Sequence, residues 1–125
     1  MINFNKHLIN KNSSIKDALI KLDILAKDAI LFVIDDSGKL QGSLTDGDVR
    51  RGLLNGITID NILTRILQPN PKFILKSDYD LQKIIDLRSE NYKVFPVLDN
   101  DGVIINVINF RLTKSYLPLD AIIMA

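Results

Sequence analysis

Cysteine and tryptophan are absent from this chain, histidine occurs once, and aromatic residues make up only 6% of it. Without cysteine there is no disulfide framework, no thiolate metal site and no cysteine nucleophile, and His7 alone cannot build a histidine metal site. His7 is expected to be a surface or terminal residue rather than a catalytic base, because no serine, cysteine or acidic orienter is fixed near it by spacing. An excess of one charge is missing too. The 16 basic and 15 acidic residues form no dense cluster, which leaves no electrostatic footprint for nucleic acid or an anionic membrane. No apolar run approaches the ~20 residues of a spanning helix, and Met1 to His7 lacks the h-region of a signal peptide. The expectation is a soluble, cytoplasmic domain with no catalytic machinery, no metal, no nucleic-acid partner and no membrane partner.

What is present is a chain of 125 residues, 46% of them hydrophobic, enough for one sizeable core. Within it a pattern recurs. Val33-Ile34-Asp35-Asp36-Ser37-Gly38-Lys39-Leu40 returns as Val97-Leu98-Asp99-Asn100-Asp101-Gly102-Val103-Ile104, 64 positions on from Gly38 to Gly102. Each copy reads as a strand, a tight turn and a second strand. The acidic turns lack the alternating oxygen ligands and closing glutamate of a calcium loop, and are read as hairpin turns.

Around the first hairpin, Ser13-Ser14 precedes Ile15, Ala18, Leu19, Leu22 and Leu25, an apolar stripe at helical spacing behind a serine cap, with Asp17 in the first turn. Ala29 to Ile34 is a continuous apolar run, read as a fully buried strand. Thr45 or Asp46 caps a short helix through Val49, Leu53 and Leu54 that stops at Gly56. Pro69 and Pro71 mark a joint before a short strand at Lys72 to Leu75. Ser77 or Asp78 then opens a helix carrying Leu81, Ile84, Ile85 and Leu87, and strands follow at Lys93 to Leu98 and Val103 to Ile108. Pro96, standing where the first copy has Phe32, implies an edge strand or a bulge. Helix, strand, strand, helix, twice over, predicts an α+β fold of two small units packed around a pseudo-twofold axis. Their boundaries are read as 1–66 and 67–116, with 117–125 as a linker and the stub of a further strand.

The copies diverge after the hairpin. The first continues as Gly42-Ser43-Leu44-Thr45-Asp46-Gly47-Asp48, the second as Asn106-Val107-Ile108-Asn109-Phe110-Arg111-Leu112. Read alone, Thr45 to Asp48 is a turn with a helix cap. As Gly-x-x-Thr-x-x-Asp at the end of a repeated strand pair, it resembles the cystathionine-β-synthase (CBS) domain pair, two tandem β-α-β-β-α units, over residues 8–116. The resemblance implies an adenine nucleotide (AMP, ADP or ATP) as regulatory ligand. Thr45 and the helix-start amides, including Gly47, would face phosphate. Asp48 would take the ribose diol, and Arg51 would supply phosphate charge. The base would lie against Asn12, Ser13, Ile30 and Leu31. With Leu112 in place of the carboxylate, at most one nucleotide per chain is expected.

Asp120-Ala-Ile-Ile-Met-Ala125 resembles the opening strand of sugar-phosphate nucleotidyltransferases, of guanylyltransferase-like type. This implies a regulatory part of an enzyme of nucleotide-sugar biosynthesis, with that catalytic domain as its covalent partner. The alternative is a ligand-free dimerisation module of the same enzyme. A homodimer through the short helices around Arg51 to Leu54 and Arg111 to Tyr116 is implied in both cases.

Overall fold

The computed structural model describes residues 4–76, 86 and 94–109. The chain divides into two compact units, Met1–Pro71 and Lys72–Ala125.

In the first unit a 3₁₀ turn at Phe4–His7 leads into strand β1 (Leu8–Asn10), helix α1 (Ile15–Leu25), strands β2 (Ile30–Ile34) and β3 (Leu40–Thr45), and helix α2 (Asp46–Leu54). The sheet order is β1-β2-β3, with β1 parallel and β3 antiparallel to β2. Three residues are too few to carry a periodic signal, so β1 escapes a reading of local pattern. It is defined by its pairing, Leu8 with Phe32 through Asn10 with Ile34.

Helix α1 starts where a capping box closes it: the Asp17 N–H donates to Ser14 Oγ at 3.1 Å and the Ser14 N–H to Asp17 Oδ2 at 3.4 Å. Its stripe of Ile15, Ala18, Leu22 and Leu25 packs on Ile9, Leu31, Val33, Leu44, Val49 and Leu63 as one core. Burial of each large aliphatic side chain there contributes about 1.5–3 kcal/mol. Phe32, on the opposite face of β2, is 1% exposed, so the middle strand is covered on both sides. Helix α2 ends at Leu54, and Gly56 follows at a φ of 94°, the left-handed region that glycine enters without steric cost.

His7 is not at the surface. It is 2% exposed, and its Nδ1–H donates to the Ile30 carbonyl at 2.9 Å. A carbonyl only accepts, so Nδ1 carries the proton, and the ring ties the segment before β1 to the start of β2.

The second unit contains β4 (Ile74–Leu75), β5 (Val94–Leu98) and β6 (Ile104–Asn109), in the order β4-β5-β6 and with the same directions. Its hairpin reproduces the first rung for rung at the offset of 64. Ile30 with Thr45 corresponds to Val94 with Asn109, and Val33 with Gly42 to Val97 with Asn106. Both ladders shift register at the next residue. The turns match as well. Asp35 Oδ1 accepts the Ser37 and Lys39 N–H groups at 2.9 and 3.0 Å, and Asp99 Oδ1 accepts those of Asp101 and Val103 at 2.9 Å each. Gly38 and Gly102 sit at φ values of 85° and 87°.

Pro96 occupies the middle strand, not an edge. Nor does the bulge come from the proline, since the first hairpin has one at the same place. The difference lies in the neighbour. β1 pairs with the Phe32 rung, whereas β4 pairs only with Val97 and Leu98 and stops short of Pro96, a residue with no N–H to give. Ser77, Asp78, Leu81, Ile84, Ile85, Leu87, Leu112 and the segment from Arg111 to Ala125 lie outside the described residues.

Candidate ligand site at the start of the second helix

Strand β3 ends by delivering Thr45, in extended conformation, as the N-cap of α2. Its hydroxyl accepts the Asp48 N–H at 3.4 Å, and Asp48 Oδ2 accepts both the Thr45 N–H at 2.9 Å and the Thr45 hydroxyl at 3.1 Å. The cap reading of Thr45 to Asp48 is therefore realised in full. Asp48 is nonetheless more than a cap. Its other oxygen, Oδ1, accepts Arg51 Nη2 at 2.7 Å and Gln68 Nε2 at 3.0 Å. A carboxylate offers about four acceptor positions, so this one is saturated from within. It is only 5% exposed, whereas the Arg51 side chain is 64% exposed. The guanidinium lies over Gly47, where an added Cβ would stand 3.2 Å from Arg51 Nη1.

Gln68 reaches Asp48 because its main chain is held beside β3. Its N–H donates to the Ser43 carbonyl at 2.8 Å, and its carbonyl accepts the Ser43 N–H at 2.9 Å. Only glycine leaves room for this approach at position 42, since an added Cβ would meet the Gln68 carbonyl oxygen at 2.6 Å and Leu67 Cδ1 at 2.7 Å. The first glycine of the motif thus serves the connecting segment. Position 106, its counterpart, is asparagine.

Asp48, Arg51, Asn55, Arg65, Ile66 and Gln68 line a groove of about 350 Å³, at the small end of the range for ligand sites. One carboxylate and two guanidinium groups give it a positive balance suited to an anion. Neither Arg65 nor Gln68 was marked by the motif. Both lie in what reads as a mere joint, and Gln68 is 20 residues from Asp48, beyond any local spacing rule. Of the residues singled out from sequence, Thr45, Gly47, Asp48 and Arg51 come together here, and Ile30 pairs with Thr45 on the adjoining strand. Leu31 has its side chain wholly in the core. Asn12 and Ser13 follow the Asn10–Ile34 end of the parallel pair, at the opposite end of β2 from Ile30. Parallel pairing imposes that separation. Among the described residues no cluster of acidic and histidine side chains could hold a metal ion, and no helix is long and apolar enough to cross a membrane.

The profile of the CBS domain matches residues 6–55, which span β1 to α2 and include the whole Thr45–Asp48 cap, and this stretch is a CBS domain. The chain as a whole has the mixed α+β fold of CBS-domain proteins. The Listeria monocytogenes CbpB protein, solved in complex with c-di-AMP, matches with a TM-score of 0.73 at 18% identity, over 99% of this chain and 94% of that one. CBSX2, solved in complex with AMP, matches with a TM-score of 0.68 at 23% identity, over 94% of this chain and 87% of that one. A protein of Helicobacter pylori strain J99, described as uncharacterized, is 28% identical over 108 residues, or 86% of this chain. The aligned stretch covers 32% of that protein, so this chain spans about a third of the length of the curated relatives it matches.

Proposed function

We propose that the chain binds an adenine nucleotide at Asp48 and acts as a regulatory module. The observation that carries this reading is the buried carboxylate of Asp48, fixed at a strand-to-helix junction and facing a groove of about 350 Å³ that also holds Arg51 and Arg65. The diol of a ribose is the natural partner of such a carboxylate, and the arginines suit its phosphate. Ile30, on the strand beside Thr45, offers an apolar neighbour to the base. That proteins of similar fold are solved with AMP and with c-di-AMP supports the same ligand class.

The chain itself is read as non-enzymatic, a homodimer, and the regulatory part of a sugar-1-phosphate nucleotidyltransferase of nucleotide-sugar biosynthesis. The last point rests on the resemblance of Asp120 to Ala125 to that family's opening strand. A ligand acts on a coupled enzyme only if it binds two arrangements of the module with different affinity.

Calorimetry with AMP, ADP and ATP, with thermal denaturation in parallel, tests the reading. A nucleotide at 100 times its dissociation constant raises stability by about 2.7 kcal/mol. Absence of heat and of any thermal shift with all three would refute it. A second reading, dimerisation without ligand, is favoured by Ile20 and Ile24, 53% and 75% exposed one turn apart on α1, and by Leu54, 80% exposed on α2. Sedimentation of wild type and Ile24→Glu, taken together with the nucleotide titration, separates the two. A dimer that dissociates in the variant, in a protein blind to nucleotides, supports the second.

A further inference from the structure

We infer that Arg51 and Gln68 form a latch on Asp48 which a ligand has to exchange, so that the groove admits a ribose diol only when the same molecule brings an anion. The inference rests on the nucleotide reading above and narrows it to nucleoside phosphates, excluding free nucleosides.

The argument begins with the saturation of the carboxylate. Oδ2 is committed to the main chain and hydroxyl of Thr45, and its loss would open the cap of α2. Oδ1 is held only by side chains, Arg51 at 2.7 Å and Gln68 at 3.0 Å. A diol therefore enters at Oδ1 by displacing one or both. Gln68 can leave cheaply. Its main chain stays paired with Ser43 while its amide turns toward solvent, where Gln68 is already exposed. Arg51 is different, because releasing it breaks an ion pair with a carboxylate whose side chain is 3% exposed. A neutral nucleoside returns hydrogen bonds to Asp48 and nothing to the freed guanidinium. A nucleoside phosphate returns both. The guanidinium swings from carboxylate to phosphate, an acceptor its planar fork fits equally well, with Arg65 as a second cation in the same groove.

Two consequences follow for affinity. Gln68 is a pure competitor, so its removal strengthens binding. Arg51 is competitor and partner at once, so its removal erases the preference for phosphate. The test is calorimetric titration of AMP and adenosine into wild type, Gln68→Ala and Arg51→Gln, each checked for folding by thermal denaturation. Gln68→Ala keeps the main-chain pair with Ser43, and its AMP affinity is expected to rise about three- to tenfold, the worth of one net hydrogen bond. Wild type is expected to prefer AMP over adenosine by at least about tenfold, and Arg51→Gln to bring that ratio toward one. Equal AMP affinity in wild type and Gln68→Ala, or adenosine binding as tightly as AMP to wild type, would overturn the latch while leaving nucleotide binding intact. Failure of AMP to bind wild type and Gln68→Ala alike would overturn the nucleotide reading and the latch with it.

Discussion

Ser43 and Gln68 exchange both of their main-chain hydrogen bonds, at 2.9 and 2.8 Å, although 25 positions separate them. This pair fastens the connecting segment to β3 two rungs before the cap residue Thr45, and Gly42 is the space that lets it close. Gly42→Ala puts a methyl group against the Gln68 carbonyl oxygen, a backbone atom that cannot turn aside. The expected cost is about 1–3 kcal/mol in urea unfolding. An unchanged midpoint would show that the segment yields freely.

Asp48 closes α2 before any ligand arrives. Asp48→Ala removes the acceptor of the Thr45 N–H and hydroxyl together with the counter-ion of Arg51, and is expected to lower stability by about 1–3 kcal/mol with no nucleotide present. Loss of nucleotide affinity in this variant is therefore to be read against its own unfolding curve. A variant as stable as wild type would mean that the capping box contributes nothing.

Removing the imidazole tests the tie at the N-terminal side of the sheet. His7→Phe keeps the volume but loses the Nδ1–H that the Ile30 carbonyl accepts at 2.9 Å. A loss of about 1–3 kcal/mol is expected. Faster amide exchange in Leu8 to Asn10 than in wild type would locate the damage at β1, and unaltered exchange and stability would deny the bond a role.

The turn carboxylate of Asp35 carries a pH dependence. The Lys39 N–H, helped by that of Ser37 and by the charges of Lys11 and Lys39, holds it below its ordinary value of 3.8. A carboxyl depressed in the folded state contributes stability that is present above the unfolded value and lost as pH falls through the folded one. Asp35→Asn, which keeps an acceptor oxygen but cannot titrate, is expected to flatten the stability curve on the acid side of pH 3.8. Parallel curves for the two proteins across that range would contradict the assignment.

Local signals carried most of the elements into the sequence. The serine cap and apolar stripe of α1, the Asp-to-Gly turns and the Thr45 cap of α2 all depend on residues within four positions of each other, and each is legible for that reason. What escaped depends on distant partners. β1 exists through its pairing with β2, His7 is buried by the strand start that it touches, and Pro96 is tolerated in a middle strand because β4 is short. At the site, Thr45, Gly47 and Asp48 were marked by one motif, and Arg51 by its nearness to it in sequence. Gln68 and Arg65 were not, since the connecting segment returns to α2 through tertiary packing that no spacing encodes. Asn12 and Ser13 were drawn to the site by resemblance, whereas parallel pairing carries them to the far end of β2.

Pro96 has a consequence for endurance. Two sheets laid out on one plan differ by a single rung on their parallel side, since β1 takes three residues of its neighbour and β4 only two. With less to break, the amides of Ile74 and Leu75 are expected to exchange with solvent before those of Leu8 to Asn10. The half that retains the carboxylate is thus also the half whose parallel strand pair is expected to open more slowly.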